Sequence, residues 1–199
     1  MLIFMKTFFL SIIAVLTAMV TLAQKSEHLT FKGVPIDGTL NEYVAKMKQS
    51  GFECSGTDGG IAVLKGDFAG YKNCYIKVST LNQMDLVYKI RVTFPDQDTW
   101  SSLYANYSDL KQMLTEKYAK PTDVVEIFDV SPYPPPLDDN SKMLELKLDK
   151  CKYSALWKTN NGEIHLFIDH YGLSSCFVRL IYLDKTNSDI IKEKAKGDL

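Results

Sequence analysis

An α+β domain made of two helix-plus-antiparallel-meander halves, sharing one sheet and one core, is the fold that this sequence predicts. Three observations predict it. Apolar residues recur at every second position over several runs, and the connections between those runs are too short for anything but antiparallel neighbours. A stripe of apolar residues at helical spacing precedes each series of runs. The order of elements is also the same in residues 36–98 and 99–198, which makes them pseudo-repeats within one domain covering 24–199.

Residues 1–23 read as a signal peptide. Lys6 precedes an apolar run from Thr7 to Ala18, and the small residues Thr21 and Ala23 stand before Gln24. The run falls short of the ~20 apolar residues that a bilayer span needs, so cleavage after Ala23 is expected and no membrane span after it. No cysteine follows the cleavage point before Cys54, which closes the lipoprotein route. Beyond the leader, Leu29 and Phe31 alternate with polar neighbours until Gly33 and Pro35 turn the chain. Thr39 with Glu42 forms a capping box that opens a helix over about Leu40 to Ser50, with Leu40, Tyr43, Val44 and Met47 on its apolar face and Gly51 as its stop.

After Gly51 the period becomes two. Phe52 to Ser55, Ile61 to Phe68, Tyr71 to Thr80 and Met84 to Phe94 are expected strands, the last with Leu86, Tyr88, Ile90, Val92 and Phe94 on one face and Lys89, Arg91 and Thr93 on the other. Pro95 ends that strand, and a longer helix is expected from Trp100 to Ala119, with Leu103, Tyr107, Leu110, Met113, Leu114 and Tyr118 as its stripe. Thr122 to Val130 is a further strand. The proline-rich stretch from Ser131 to Asn140 is a stiff, exposed loop with Tyr133 at its tip. Met143 to Lys150 fits either period and leans towards a short helix. Asn161-Gly162 marks a hairpin within a three-stranded meander from Lys152 to Leu183, and Asp184 to Lys196 closes the chain as a polar helix.

Charge and composition exclude several classes. The 23 basic and 24 acidic residues are interspersed, so there is no clustered basic run of the kind that binds nucleic acid. The 46% apolar residues supply ample core and exclude disorder. Four cysteines, Cys54, Cys74, Cys151 and Cys176, allow three connectivities. In an exported chain two disulfides are expected, and pairing within halves gives Cys54–Cys74 and Cys151–Cys176. No Cys-x-x-Cys spacing encodes a redox pair or a zinc site, and no metal or cofactor is expected.

The repeat extends to short sequence matches. Ala62-Val63-Leu64-Lys65 resembles Ala155-Leu156-Trp157-Lys158, and Arg91 to Asp96 echoes Arg179 to Asp184. The leader ending Leu22-Ala23-Gln24, the run from His28 to Thr39 and Gly162-Glu163-Ile164 in a hairpin together resemble a group of small exported proteins of unassigned function in Gram-negative bacteria. The tandem helix-plus-meander plan is similar to the beta-lactamase inhibitor protein architecture. That second likeness implies a plan and carries over no inhibitory residue.

His165, Asp169 and His170 are the only compact cluster of catalytic residue types. In a strand His165 and Asp169 share a face and His170 points away, so a metal site is not expected. The expected function is therefore a non-enzymatic binding or interaction protein of the cell envelope, periplasmic or secreted, with a protein or small-molecule partner. Tyr133 and Trp100 are its candidate contact residues, although a stiff loop and helix-end packing are the simpler readings of the two. The alternative is a hydrolase in which His165 with Asp169 activates a nucleophile from another loop.

Overall fold

The computed structural model describes residues 27–81, 84–129 and 134–197; the leader and Tyr133 lie outside the described residues. A short hairpin of β1 (Thr30–Phe31) and β2 (Val34–Pro35) leads into α1 (Leu40–Gln49). Helix α1 begins where its capping box requires. Thr39 Oγ1 accepts from the Glu42 N–H, and the Glu42 carboxylate accepts from the Thr39 N–H. Four strands follow: β3 (Glu53–Asp58), β4 (Ile61–Phe68), β5 (Tyr71–Leu81) and β6 (Met84–Thr93).

The second half repeats this order. Helix α2 (Trp100–Tyr118) precedes β7 (Asp123–Phe128), a short α3 (Asp139–Lys147) is inserted, and β8 (Cys151–Thr159), β9 (Gly162–Tyr171) and β10 (Ser175–Asp184) complete the meander before α4 (Lys185–Gly197). All eight strands of the two meanders form one antiparallel sheet in the order β3-β4-β5-β6-β10-β9-β8-β7. The α+β class, with two helix-plus-meander halves on one sheet and one core, is what the structure shows.

The register at the seam is symmetric. Arg179 stands opposite Thr93, Leu180 opposite Val92, and Ile181 opposite Arg91, so a pseudo-twofold axis passes between Val92 and Leu180 and exchanges Arg91 with Arg179. The sequence echo of Arg91–Asp96 in Arg179–Asp184 is thus a structural equivalence. Counted outward from the axis through β5 and β9, however, Lys65 corresponds to Leu156 and not to Lys158. The likeness between Ala62–Lys65 and Ala155–Lys158 is slipped by two residues, a shift that keeps each side chain on its face and so escapes a period-two reading.

One face of the sheet carries the core. Leu64, Ile76, Val92, Leu180, Leu166 and Ala155 run across it as a buried row, covered by Tyr43 and Met47 of α1 and by Leu103, Tyr107 and Leu110 of α2. Met113, expected on the α2 stripe, is exposed, because Leu110 and Leu114 already define the line that faces the sheet. Phe31 seals one end of the core against Phe52, Phe68 and Tyr182. The segment before β1 meets the start of α4 there as well. The fully buried Asp184 accepts from the Leu29 N–H at 2.8 Å and from the Asn187 N–H at 2.9 Å and meets His28 Nδ1 at 3.1 Å, while Asn187 Nδ2 donates to the Val87 carbonyl at 2.8 Å.

The disulfide expectation is overturned: all four cysteines are free thiols. The cause is the meander itself. Cys54 lies on β3 and Cys74 on β5, with β4 between them; Cys151 lies on β8 and Cys176 on β10, with β9 between them. Two strand spacings separate α-carbons by roughly 10 Å, beyond the ~7 Å that a disulfide tolerates. Burial pushes the Cys74 thiol up to about 11 and the Cys151 thiol up to about 12, so both behave as small apolar core groups.

Candidate functional site

The second face of the sheet is the exposed one, and alternation assigns its residues. On β5 these are Tyr75, Lys77 and Ser79; on β6, Lys89 and Arg91; on β9, Glu163, His165, Phe167 and Asp169; on β10, Phe177, Arg179, Ile181 and Leu183. Helix α4 turns back over this face, and its Ala195 joins Lys77, Ser79, Tyr88, Lys89 and Arg91 in lining an open recess of about 620 Å³.

Within the recess, register sets the geometry. Lys77 is directly opposite Arg91 and Ser79 is directly opposite Lys89, so the α-carbons of the four residues form a rectangle with sides of about 5 and 7 Å. Its neighbours in the sheet are apolar: Val63 beside Lys77, Ile61 beside Ser79, Ile181 beside Arg91 and Leu183 beside Lys89. None of the ion pairs formed among the described residues involves Lys77, Lys89 or Arg91. Burial lowers the Lys89 pKa from the ordinary lysine value, and the Arg91 charge pushes the same way. Arg91 Nε and Arg179 Nε are both buried without a hydrogen-bond partner, so this atom does not distinguish the two halves.

The pseudo-twofold axis supplies an internal comparison. It carries Arg91 onto Arg179, Lys77 onto Phe167, Lys89 onto Phe177 and Ser79 onto Asp169. Arg179 is held in an ion pair with Asp169, and its guanidinium lies over the rings of Phe167, Tyr171 and Phe177 at 5.8, 5.4 and 5.0 Å. The second half thus surrounds its arginine with a carboxylate and aromatic faces. The first half surrounds its own with two more cations and a hydroxyl.

No protein-family model, curated protein or solved structure matches this chain.

Sequence reasoning singled out other residues, and the structure places them as follows. His165 and Asp169 share the exposed face of β9, but four residues of strand put them about 13 Å apart. Each has a different partner: His165 Nε2 lies 3.0 Å from Glu163 Oε2, and Asp169 is engaged by Arg179. His170 points to the other face, where its Nδ1 meets the Gly172 carbonyl at 2.7 Å and its Nε2 meets Asp149 at 3.1 Å. Trp100 is buried at the start of α2, against Tyr104, Phe128 and Tyr153. That is a packing position. Among the described residues no group of three histidine, cysteine or acidic side chains is arranged to hold a metal ion, and no helix is long and apolar enough to cross a membrane. The cationic rectangle was missed because it spans two strands: Lys77, Lys89 and Arg91 look like an ordinary solvated face until register brings them together.

Proposed function

We propose that this is an exported, non-enzymatic binding protein of the cell envelope, periplasmic or secreted, which engages a protein or small-molecule partner through the exposed face of its sheet. The observation that carries this reading is the recess over β5 and β6. Three cations line it, none of them in an ion pair among the described residues, at a cost to the free protein, since like charges directly opposite on neighbouring strands repel. A protein tolerates such a cost where the surface serves an external contact. Export rests on residues 1–24 alone, because the free thiols add nothing to it.

The hydrolase reading loses its dyad to distance, since Asp169 cannot orient a ring about 13 Å away along the strand. Two measurements on the mature protein test the proposal together. Spectra recorded with fractionated envelope extract are expected to show perturbed amides on the exposed face of β5 and β6 and none at His165. Turnover of an ester, amide or glycoside substrate, abolished by His165→Ala, would overturn it.

A further inference from the structure

We infer that the recess at Lys77, Lys89 and Arg91 is a binding site for a small molecule bearing a dianionic phosphoryl group. This rests on the binding reading above and names the ligand's chemistry. The argument comes from the molecule's own second half. There, the same backbone position holds an arginine whose charge is answered by Asp169 and by three aromatic faces. In the first half the place of that carboxylate is taken by Ser79, and the places of two of the aromatics are taken by Lys77 and Lys89. The backbone does not forbid compensation, because its pseudo-twofold copy achieves it. Among the described residues, no carboxylate is ion-paired with Arg91, Lys77 or Lys89.

Among the described acids near the recess, Asp58 borders a neighbouring groove that Lys77 also lines, and Asp189 and Glu193 of α4 are paired with Lys192 and Lys196. Asp85 accepts from the first N–H of α1 at 2.9 Å, and Glu163 is separated from Lys89 by Leu183 on the intervening strand and is paired with His165. An oxyanion centred on the rectangle would meet a planar guanidinium able to donate two parallel hydrogen bonds, two ammonium groups and the Ser79 hydroxyl. Three positive charges match a dianion better than a single carboxylate. Tyr88 and Ile61 border the same recess and offer an aromatic and an aliphatic surface to the rest of the ligand. A volume of about 620 Å³ suits a small molecule.

The probe is pyrophosphate, titrated into the full mature chain at constant ionic strength and followed by amide and lysine side-chain NMR. Saturable shifts are expected at Lys77, Ser79, Lys89 and Arg91, with affinity about tenfold weaker in Lys77→Gln, as loss of one charge-assisted contact implies. Ser79→Asp restores the carboxylate of the second half and is expected to abolish binding while leaving the fold intact, so the test does not depend on the cation variant. Lys152→Gln, on the other half, should bind as the parent does. Equal affinity in Ser79→Asp, or shifts that potassium chloride reproduces, would overturn the inference. Binding to phosphatidylglycerol vesicles without saturable pyrophosphate binding would assign the cations to a lipid surface and overturn it too. A protein partner captured on this face by parent and Ser79→Asp alike would remove the phosphoryl ligand and leave the binding function standing, whereas His165-dependent turnover would remove the binding function itself.

Discussion

Arg91 and Arg179 occupy one position in two copies of the same backbone, and their surroundings differ in kind. Arg179 sits among Asp169, Phe167, Tyr171 and Phe177, a set that neutralises its charge and covers its faces. Arg91 sits among Lys77, Lys89 and Ser79, a set that does neither. The core residues beneath them are interchangeable in character: Val92 and Leu180 meet across the axis, with Ile90 and Val178 as equivalents beside them. The face turned to the helices sets the symmetry of the fold, and the face turned to solvent is free to depart from it. Divergence is therefore concentrated where it does not disturb packing, which is also where a ligand can be met.

The largest effect is expected at the axis, where Leu180→Ala removes a fully buried side chain shared by both halves and should cost about 3 kcal/mol in urea unfolding. A single cooperative transition is expected to shift; two separate transitions would show that the halves do not share a core. Next comes Asp169→Asn, which leaves Arg179 largely buried without its counter-charge. It should destabilise by about 2 kcal/mol, less than a fully buried pair because Asp169 keeps some access to water. In the first half the sign reverses. Ser79→Asp should stabilise the free protein by about 0.5 kcal/mol, since it places a carboxylate among three cations at a partly hydrated site. A loss of stability on that substitution would show that the cations are already answered within the chain.

The smallest effect concerns His170 in the second half. Burial disfavours its imidazolium, but the Gly172 carbonyl and the Asp149 carboxylate outweigh burial and raise its pKa above the ordinary histidine value. The contribution to stability is then full below the ordinary value and is lost as pH rises through the folded one. Histidine NMR should show that raised midpoint, and Asp149→Asn should lower it. An unchanged midpoint in that variant would remove Asp149 from the account.

Much of this architecture could be read in advance because its signals are local. Thr39 with Glu42 marks the first helix, Asn161-Gly162 marks a hairpin, and the alternation of Ile90 and Val92 with Lys89 and Arg91 assigns the faces of β6. What could not be read depends on register between strands. Each expected disulfide joined cysteines close in sequence, but a meander places sequence neighbours one strand too far apart. His165 and Asp169 share a face, yet face alone says nothing about the distance along the strand. The rectangle of Lys77, Ser79, Lys89 and Arg91 is likewise a fact of pairing, invisible until Lys77 is known to oppose Arg91.

The seam between β6 and β10 also has a kinetic side. Strand β6 ends the first half, and its partner β10 is the last strand of the chain, so nearly ninety residues of polypeptide must be placed before the two can meet. Loop-closure entropy makes a pairing of such long range late and slow. Until it forms, the first half carries an open edge along Lys89–Thr93, the kind of edge on which another chain can add a strand. Lys89 and Arg91 lie on that edge, and their mutual repulsion with any second copy would guard it during the wait. Charges that cost the finished protein something would then keep the unfinished one from aggregating.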